Sequence, residues 1–412
     1  MLMQFNFKNY KSFKGENSLD MSATSIIEHP YNLTTFANGE KYIKTAAIYG
    51  ANASGKSGVI EAFQFMTRLI FNSLTGEKVD KGIPLKRFAF DKVTKDGKSE
   101  FEVFFRHKEK EFQYGFVVDN KKIHEEWLYK RDLRAKSKYN TLFERNDNKI
   151  QCSKYLKGAE KFIEHVEIST LFLSLLSKVK ITDAKIVFDW FYNTDVVDFS
   201  HSFFEDIVTD YLISRAFEDK NYKVAIEDFL KKIDTGIEGI RIEKVKSLSN
   251  VDEEPNFKVY SKHRTADGES ISEIPFTEES SGTQKMFCLF HFLYMAIQKG
   301  NTLLIDELDA KLHPLLLRYI INMFHNPTIN KSNAQLIYTS HDPYTLTRET
   351  FRRDQIWFTE KDNNGVSKLY SLAEFKLDGN KKVRNDASYN KDYLSGRYGA
   401  IPLLKEFLTL ED

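Results

Sequence analysis

The chain has 412 residues, which is enough for two or three domains with a large core. Its 60 Lys and Arg residues balance its 59 Asp and Glu residues, so the net charge of +1 gives no general argument for nucleic acid binding. The sequence contains no apolar stretch of membrane-spanning length, and its two cysteines match no metal or disulfide pattern. We therefore predict a reduced, cytoplasmic protein that does not enter a membrane.

The N-terminal part of the sequence predicts a sheet. Residues 3–8 alternate between apolar and polar side chains, which indicates a half-exposed strand, and the polar segment 9–20 continues it as a hairpin. Three further strands are predicted over 100–106, 111–118 and 123–130, with short polar turns between them. Together these segments predict an antiparallel sheet that lies beside an α/β core.

The segment 50–57, Gly-Ala-Asn-Ala-Ser-Gly-Lys-Ser, has the spacing of a P-loop and lies between an apolar run and a helical pattern, as this motif requires. Its two glycines permit backbone angles that turn successive N–H groups toward phosphate oxygens. Lys56 is predicted to neutralise the β- and γ-phosphates, and Ser57 to place its hydroxyl on Mg²⁺. The alternative, a chance Gly-rich turn, is disfavoured by this context. The predicted ATP-binding residues of the loop are Gly50, Asn52, Ala53, Ser54, Gly55, Lys56 and Ser57.

The middle of the chain has a different pattern. Residues 153–233 are helical in pattern, with apolar and aromatic clusters that we interpret as core packing, and no heptad repeat is sustained. Residues 236–259 then predict strands joined by a polar hairpin at 249–255. We predict three parts: an N-terminal ATPase half over 1–130, a mostly helical insert over 131–240, and a C-terminal ATPase half over 241–412.

A Ser- and Gly-containing loop, residues 279–284, precedes the next helical run. Ser281 or Thr283 could cap that helix, and a loop of this kind at a helix N-terminus can bind an anion. The motif is weak by itself because Ser-Gly turns are common before helices. The residues of this loop that we predict to bind ATP are Ser281, Gly282 and Gln284.

The apolar run 302–305 predicts a buried strand that ends in two carboxylates. Asp306 is predicted to hold Mg²⁺, and Glu307 to orient and polarise the attacking water. The alternative is a solvated acidic turn, which the P-loop upstream disfavours. Asp309 follows, and His313 precedes another helical pattern.

A further apolar strand is predicted over 335–339 and is followed by His341. A lone histidine is more often structural, but at a strand end beside a phosphate site it can sense or stabilise γ-phosphate charge. We therefore predict His341 as a catalytic residue together with Glu307 and Lys56. Short strands are also predicted over 355–358 and 368–372.

Taken in order, these motifs resemble the ABC-type ATPase heads of the RecF, SMC and OLD group. More narrowly, the chain resembles the AAA-type ATP-binding proteins of phage-defence operons, of the AbiLi/RloA kind. The stretches that carry this resemblance are 7–13, 46–57, 306–314 and 393–399. The resemblance implies an α/β fold, a P-loop ABC-type ATPase head with an antiparallel β-subdomain and a mostly helical insert.

The resemblance also implies that ATP and Mg²⁺ bind between two copies in a head-to-tail homodimer or a higher oligomer. Ser281 and Gly282 of one copy would contact the γ-phosphate held by the P-loop of the other. The signature differs from that of transporters, which argues against transport, and Gln113 is only a positional candidate for the glutamine loop. About seventy residues follow His341, too few for the nuclease domain of OLD-type proteins, so a nuclease would be a separate chain.

Three functions remain open at this point. The leading hypothesis is an ATP-hydrolysing switch of an anti-phage (abortive infection) system, in which ATP-dependent dimerisation controls a separate effector, expected to be a nuclease. The alternative is a RecF-like DNA-repair ATPase that clamps duplex DNA through the basic stretch 121–138, although a solvated strand and turn is the favoured interpretation of that stretch. The third is a scaffold that binds ATP without turnover, and Glu307 argues against it.

Overall fold

The computed structural model describes residues 1–74, 82–133, 138–198, 212–233, 236–245, 256–377 and 381–402. Within these residues the chain forms an antiparallel sheet, a mostly parallel central sheet and helices on both sides of the central sheet. This α/β arrangement with an antiparallel subdomain agrees with the predicted fold class. None of the described helices is long and apolar enough to cross a membrane.

The antiparallel sheet has seven strands in the order β10-β9-β8-β7-β6-β1-β2. The alternation predicted for the first strand is present, because Phe5 and Phe7 are buried on the face that packs inward. The predicted N-terminal hairpin and the three predicted strands between residues 100 and 130 are confirmed. The strands are β1 (Leu2–Tyr10), β2 (Phe13–Asp20), β6 (Ser99–His107), β7 (Lys110–Val118), β8 (Ile123–Asp132), β9 (Asn140–Asn146) and β10 (Lys149–Cys152).

The central sheet has six strands in the order β11-β15-β16-β5-β17-β18. Every pair in it is parallel except the last, β17 with β18. The inner strands β5, β15 and β16 are buried along their whole length, which explains why their sequences are mostly apolar runs. The strands are β5 (Thr45–Gly50), β11 (Asp195–Asp198), β15 (Thr302–Asp306), β16 (Gln335–Thr339), β17 (Ile356–Lys361) and β18 (Ser367–Ser371).

Helices cover both faces of the central sheet and define two cores. Helix α1 lies between the two large sheets, where Phe63 packs edge-on against Phe5 at 5.2 Å between ring centroids. The opposite face of the central sheet packs against α5, α6 and α7. The helices are α1 (Lys56–Asn72), α2 (Lys92–Lys95), α3 (Phe172–Lys178), α4 (Thr182–Tyr192), α5 (Lys220–Ile233), α6 (Ser281–Lys299), α7 (Pro314–His325) and α8 (Tyr389–Leu394).

Smaller elements complete the described fold. A third sheet has the order β12-β13-β14, and the predicted hairpin at 249–255 between its first two strands lies outside the described residues. Its strands and those of two small ribbons are β12 (Ile237–Val245), β13 (Asn256–Arg264), β14 (Ile271–Pro275), β3 (Leu33–Thr35), β4 (Lys41–Ile43), β19 (Lys376–Leu377) and β20 (Lys381–Lys382).

The structure differs from the predicted helical insert over 131–240 at two places. β9 and β10 extend the antiparallel sheet, and β11 is an edge strand of the central sheet. β11 gains its partner only through long-range pairing with β15, which a local pattern does not reveal, whereas β9 and β10 pair with the strands next to them in sequence. Between them, α3 and α4 are helical as predicted, but they pack in the same core as α1. The division into three domains itself stays a prediction.

Candidate functional site

The glycine-rich loop lies between the end of β5 and the start of α1. Ala53 and Gly55 have left-handed backbone angles, with φ of 60° and 116°. Gly55 is the N-cap of α1 and offers no side-chain cap, so the first N–H groups of this 17-residue helix face the loop. A loop of inward N–H groups at the positive end of a helix is an anion site.

The loop is clamped against the ends of β17 and β18. The Ser54 hydroxyl lies 2.6 Å from that of Thr359, and the Ser367 hydroxyl donates to the Ser54 carbonyl at 2.6 Å. A Cβ at Gly50 would lie 2.5 Å from the Thr359 carbonyl oxygen, and one at Gly55 would lie 2.9 Å from the Ser367 hydroxyl. Gly50 is therefore required by the close approach of the Thr359 backbone, and Gly55 by its left-handed backbone angle together with the nearby side chains of Ser367 and Phe13.

Lys56 is buried at the base of this loop, with 5% of its surface exposed. Its ammonium group donates to the carbonyls of Gly50 at 2.8 Å and Ala51 at 3.0 Å. Burial lowers the pKa of Lys56 to about 8, and the charge of Asp306 is the largest influence that opposes this fall. A bound phosphate would supply the counter-charge that the two neutral carbonyls lack.

Asp306 lies at the carboxyl end of β15, next to the loop. Its carboxylate accepts hydrogen bonds from the hydroxyls of Thr339, at 2.5 Å, and Ser57. Burial raises the pKa of this carboxyl group, and the two hydroxyls work against the rise. A buried carboxylate beside a serine hydroxyl is a donor set of hard oxygens, which fits Mg²⁺. The structure therefore brings together the two residues predicted as metal ligands.

Glu307 has an unusual backbone held by contacts on both sides. Its φ of 51° is left-handed, a conformation that costs a non-glycine residue about 1–2 kcal/mol. Its N–H donates to the Thr339 hydroxyl at 2.7 Å, and its carbonyl accepts from the Lys285 ammonium at 3.0 Å. The same ammonium group reaches the carbonyls of Leu308 at 3.1 Å and Ala310 at 2.7 Å. These contacts fix the Glu307 backbone and, with it, the direction of the Cα–Cβ bond.

His341 follows β16 and is exposed to solvent. Its backbone N–H donates to the Asp309 carboxylate at 3.0 Å. Partial desolvation lowers the pKa of the imidazole, and the nearby charge of Lys56 lowers it further. A neutral imidazole near Lys56 can contact a phosphate oxygen through its N–H group.

The structure brings the predicted catalytic residues to one edge of the central sheet. The charges of Asp306, Glu307 and Asp309 all act on Lys56, and Lys56 in turn acts on His341. This clustering follows from the parallel order of β15, β16 and β5, whose carboxyl ends meet at the same edge.

The predicted signature residues lie at the start of α6. The helix is capped by Ser280, whose hydroxyl accepts from the Thr283 N–H at 3.1 Å, so the prediction of Ser281 or Thr283 as the cap is wrong. Ser281 is exposed, and a Cβ at Gly282 would lie 3.0 Å from the Lys311 carbonyl. Contact of these residues with ATP stays a prediction.

Gln284 braces the signature loop from within its own chain. Its amide group donates to the carbonyls of Thr277 at 3.1 Å and Glu279 at 2.8 Å. To contact ATP, its side chain would have to give up these bonds, and that predicted role also stays untested.

Sequence reasoning did not identify Asp198 or Lys285. Asp198 ends β11, pairs in register with Asp306, and its charge raises the pKa of that carboxyl group. The sequence did contain a signal for Asp198, because Val-Val-Asp repeats in shorter form the apolar run and following acid of β15. Gln113, the candidate for the glutamine loop, instead lies within β7 and donates to Glu102 at 2.7 Å.

The basic stretch at 121–138 is largely neutralised where it is described. Lys122 pairs with Asp147 at 2.6 Å, and Lys130 pairs with Asp183 at 2.5 Å. Arg131 pairs with the fully buried carboxylate of Glu111. Residues 134–137 lie outside the described part of the chain. These pairs agree with the interpretation of this stretch as a strand and turn.

Residues 46–347 match the model of a family described as "AAA domain, putative AbiEii toxin, Type IV TA system". Two solved structures of RecF cover 90% of this chain, each with a TM-score of 0.33. They are titled "Structure of the recombination mediator protein RecF-ATPrS in RecFOR pathway", at 14% identity over 98% of that chain, and "Structure of the recombination mediator protein RecF-ATP in RecFOR pathway", at 13% identity over 97%. No curated protein matches the chain.

Proposed function

The chain belongs to this AAA domain family, and we propose that it is an ATP-binding and ATP-hydrolysing switch. The observation that carries the proposal is the meeting of Lys56, Ser57, Asp306 and Glu307 at the carboxyl edge of the central sheet. A chance glycine-rich turn would not place a buried lysine and a buried carboxylate with a serine hydroxyl beside one anion-binding loop.

Each side chain has a physical role in this proposal. The loop N–H groups and Lys56 bind the phosphates, and Lys56 exchanges two neutral carbonyls for charged oxygens. Ser57 and Asp306 would hold Mg²⁺, which neutralises charge on the phosphate oxygens when it is bound. Glu307 accepts a hydrogen bond from the attacking water and takes up its proton. His341, neutral at pH 7, donates a hydrogen bond to the terminal phosphate.

The switch itself would be a head-to-tail pair of identical chains. The exposure of Ser281 at the start of α6 supports this part of the proposal, since a side chain that serves another copy must be free of its own core. In the narrower proposal, the chain is of the AbiLi/RloA kind. The closed pair then controls a separate effector protein, a nuclease, in an anti-phage system located in the cytoplasm.

The test of this proposal is ATP turnover by the full chain. Wild-type protein with ATP and Mg²⁺ should release phosphate, and Lys56→Ala should abolish the release because the phosphates lose their main counter-charge. Lys368→Ala, the same change on an exposed position of β18, is the matched control and should keep wild-type turnover. Normal hydrolysis by a folded Lys56→Ala protein would place the catalytic loop elsewhere.

The effector part of the proposal needs a different measurement. Affinity purification of the Glu307→Gln protein with ATP should recover the partner, and Lys56→Ala should recover less of it. Equal recovery by both variants would show that the partner does not distinguish the closed pair from the open chain.

A further inference from the structure

Thr339 is the last residue of β16 and contacts three successive residues at the end of β15. Its hydroxyl donates to the Asp306 carboxylate at 2.5 Å and accepts from the Glu307 N–H at 2.7 Å. Its carbonyl accepts from the Leu308 N–H at 3.2 Å. Thr339 is fully buried, so these bonds are sheltered from solvent. One residue therefore binds the predicted metal ligand, the predicted base and the residue that follows them.

The two bonds of the Thr339 hydroxyl have a fixed direction. A hydroxyl group has one hydrogen to donate and two lone pairs that can accept. The Glu307 N–H can only donate, so it occupies a lone pair and leaves the hydroxyl hydrogen for the Asp306 carboxylate. The oxygen–oxygen distance of 2.5 Å is typical of a hydroxyl bound to a charged carboxylate. The hydroxyl thus joins the side chain of one residue to the backbone of the next.

These contacts begin where the regular pairing of the two strands stops. The ladder between β15 and β16 ends with Ile305 and Tyr338. In a regular strand the Cβ atoms of two successive residues point to opposite faces of the sheet. The left-handed φ of 51° at Glu307 departs from the strand conformation, and strained backbone of this kind persists only where its surroundings hold it. The Thr339 hydroxyl holds Glu307 by its N–H and Asp306 by its carboxylate.

We propose that Thr339 is a positioning residue for ATP hydrolysis, whose hydroxyl sets the Asp306 carboxylate and the Glu307 backbone in one fixed arrangement. This inference rests on the proposed function, and Thr339 acts in it through these two residues. Without the hydroxyl, the Glu307 N–H loses its hydrogen-bond partner and the Asp306 carboxylate loses a donor, so the end of β15 spends less time in the productive arrangement. The phosphates are bound by the P-loop and Lys56 in that function, so hydrolysis should suffer more than ATP binding.

The experiment compares matched variants of the full chain. Thr339→Val keeps the branched shape of the side chain and replaces the hydroxyl with a methyl group, whereas Thr339→Ser keeps the hydroxyl and loses the methyl group. Thr302→Val is the control, because Thr302 is a buried residue at the opposite end of β15 whose hydroxyl donates to Gln335 at 3.2 Å. Single-turnover phosphate release measures the rate of hydrolysis, a fluorescent nucleotide measures the Kd for ATP over a range of Mg²⁺ concentrations, and calorimetry measures Tm.

We expect Thr339→Val to hydrolyse ATP about tenfold to a hundredfold more slowly, because a small misplacement of the reacting groups is enough for a loss of this size. Its Kd for ATP without Mg²⁺ should stay within about threefold of wild type. The Mg²⁺ concentration needed for tight binding should rise, since the Asp306 carboxylate is less well oriented. Thr339→Ser should stay within about threefold of the wild-type rate. Thr302→Val should lower Tm without slowing hydrolysis.

A wild-type rate in Thr339→Val, or equal slowing in Thr339→Val and Thr339→Ser, would overturn the inference and leave the proposed function intact. Equal slowing in Thr302→Val would overturn it too, because the loss would then come from a general weakening of the strand pair. Thr339→Cys has the shape of the serine variant and a weaker donor, so it should be slow and provides the same comparison if Thr339→Val does not fold. A wild-type protein that releases no phosphate would overturn the proposed function and this inference with it.

Discussion

Replacing Glu307 by Gln changes one charge at the carboxyl end of β15 and keeps the size and shape of the side chain. The residue is held through its backbone, by the Thr339 hydroxyl on the N–H at 2.7 Å and by the Lys285 ammonium on the carbonyl at 3.0 Å. Because neither contact uses the carboxylate, both survive the substitution. The left-handed φ of 51° and the direction of the Cα–Cβ bond should therefore be preserved.

We expect the substitution to slow ATP hydrolysis without weakening ATP binding. An amide does not accept a proton near pH 7, and loss of a positioned general base costs about a hundredfold to ten-thousandfold in rate. The carboxylate charge is close enough to act on Lys56, so its removal also reduces repulsion with the terminal phosphate. The variant should hydrolyse ATP at least about a hundredfold more slowly, bind it at least as tightly, and accumulate as an ATP-bound dimer.

Single-turnover phosphate release measures the rate, and light scattering with ATP and Mg²⁺ measures the mass. Lys56→Ala supplies the open reference, and Glu269→Gln, in an exposed turn, controls for the substitution itself. A Glu307→Gln protein that turns over ATP at the normal rate would show that another group is the base, and the role given to the end of β15 would be wrong.

Three further outcomes are expected. Ser281→Arg should leave ATP binding by dilute protein nearly intact and lower turnover at least about tenfold, since an arginine at this exposed position would block a second copy; equal loss of binding in the monomer would show that the residue acts within its own chain. Asp198→Asn should raise the Mg²⁺ concentration needed for tight nucleotide binding, because the charge of Asp198 lies beside Asp306. Asp195→Asn, at the other end of β11, is the control and should not change that concentration. Nucleotide affinity measured over a range of Mg²⁺ concentrations tests both expectations. The pKa of Lys56 is about 8 in the folded protein without nucleotide, which is below the pKa of a lysine in the unfolded chain. Because the deprotonated amine no longer attracts phosphate, ATP affinity should fall as pH rises from about 8 to about 10, and a Lys56→Arg protein should lose this dependence. Over the same pH range the free energy of unfolding of the nucleotide-free protein should rise, because Lys56 no longer has to be buried in its charged form.

The sequence predicted those parts of the site that a short run of neighbouring residues is enough to identify. The P-loop is specified by glycine and lysine spacing within one turn, and its strand and helix flank it directly. Asp306 and Glu307 end an apolar run, and the structure gives each a place at the same edge. His341 follows for the same reason, because a parallel sheet brings successive strand ends together.

The parts that were missed depend on contacts that composition and local patterns do not specify. β11 has only four residues and is defined by its ladder with β15, more than a hundred residues away. The N-cap of α6 was predicted one or three residues late, at Ser281 or Thr283, since serine and threonine are both good caps by composition and only the bond from the Thr283 N–H identifies Ser280. Gln113 was a candidate for the glutamine loop only because of its position along the chain, but it lies on β7 and its side chain donates a hydrogen bond to Glu102.

The contacts of Lys285 have a consequence for a pair of chains. Its ammonium group holds three carbonyls of the turn after β15, and it lies on the first turns of the helix that presents Ser281 to solvent. We expect a shift of that turn on loss of phosphate to be transmitted through these hydrogen bonds to the start of α6. In the proposed head-to-tail pair, the nucleotide bound at the P-loop of one chain would therefore alter the contact that Ser281 of the same chain makes with the nucleotide at the other site. By thermodynamic linkage the effect is mutual, so the two sites would be expected to lose their nucleotides cooperatively and not independently.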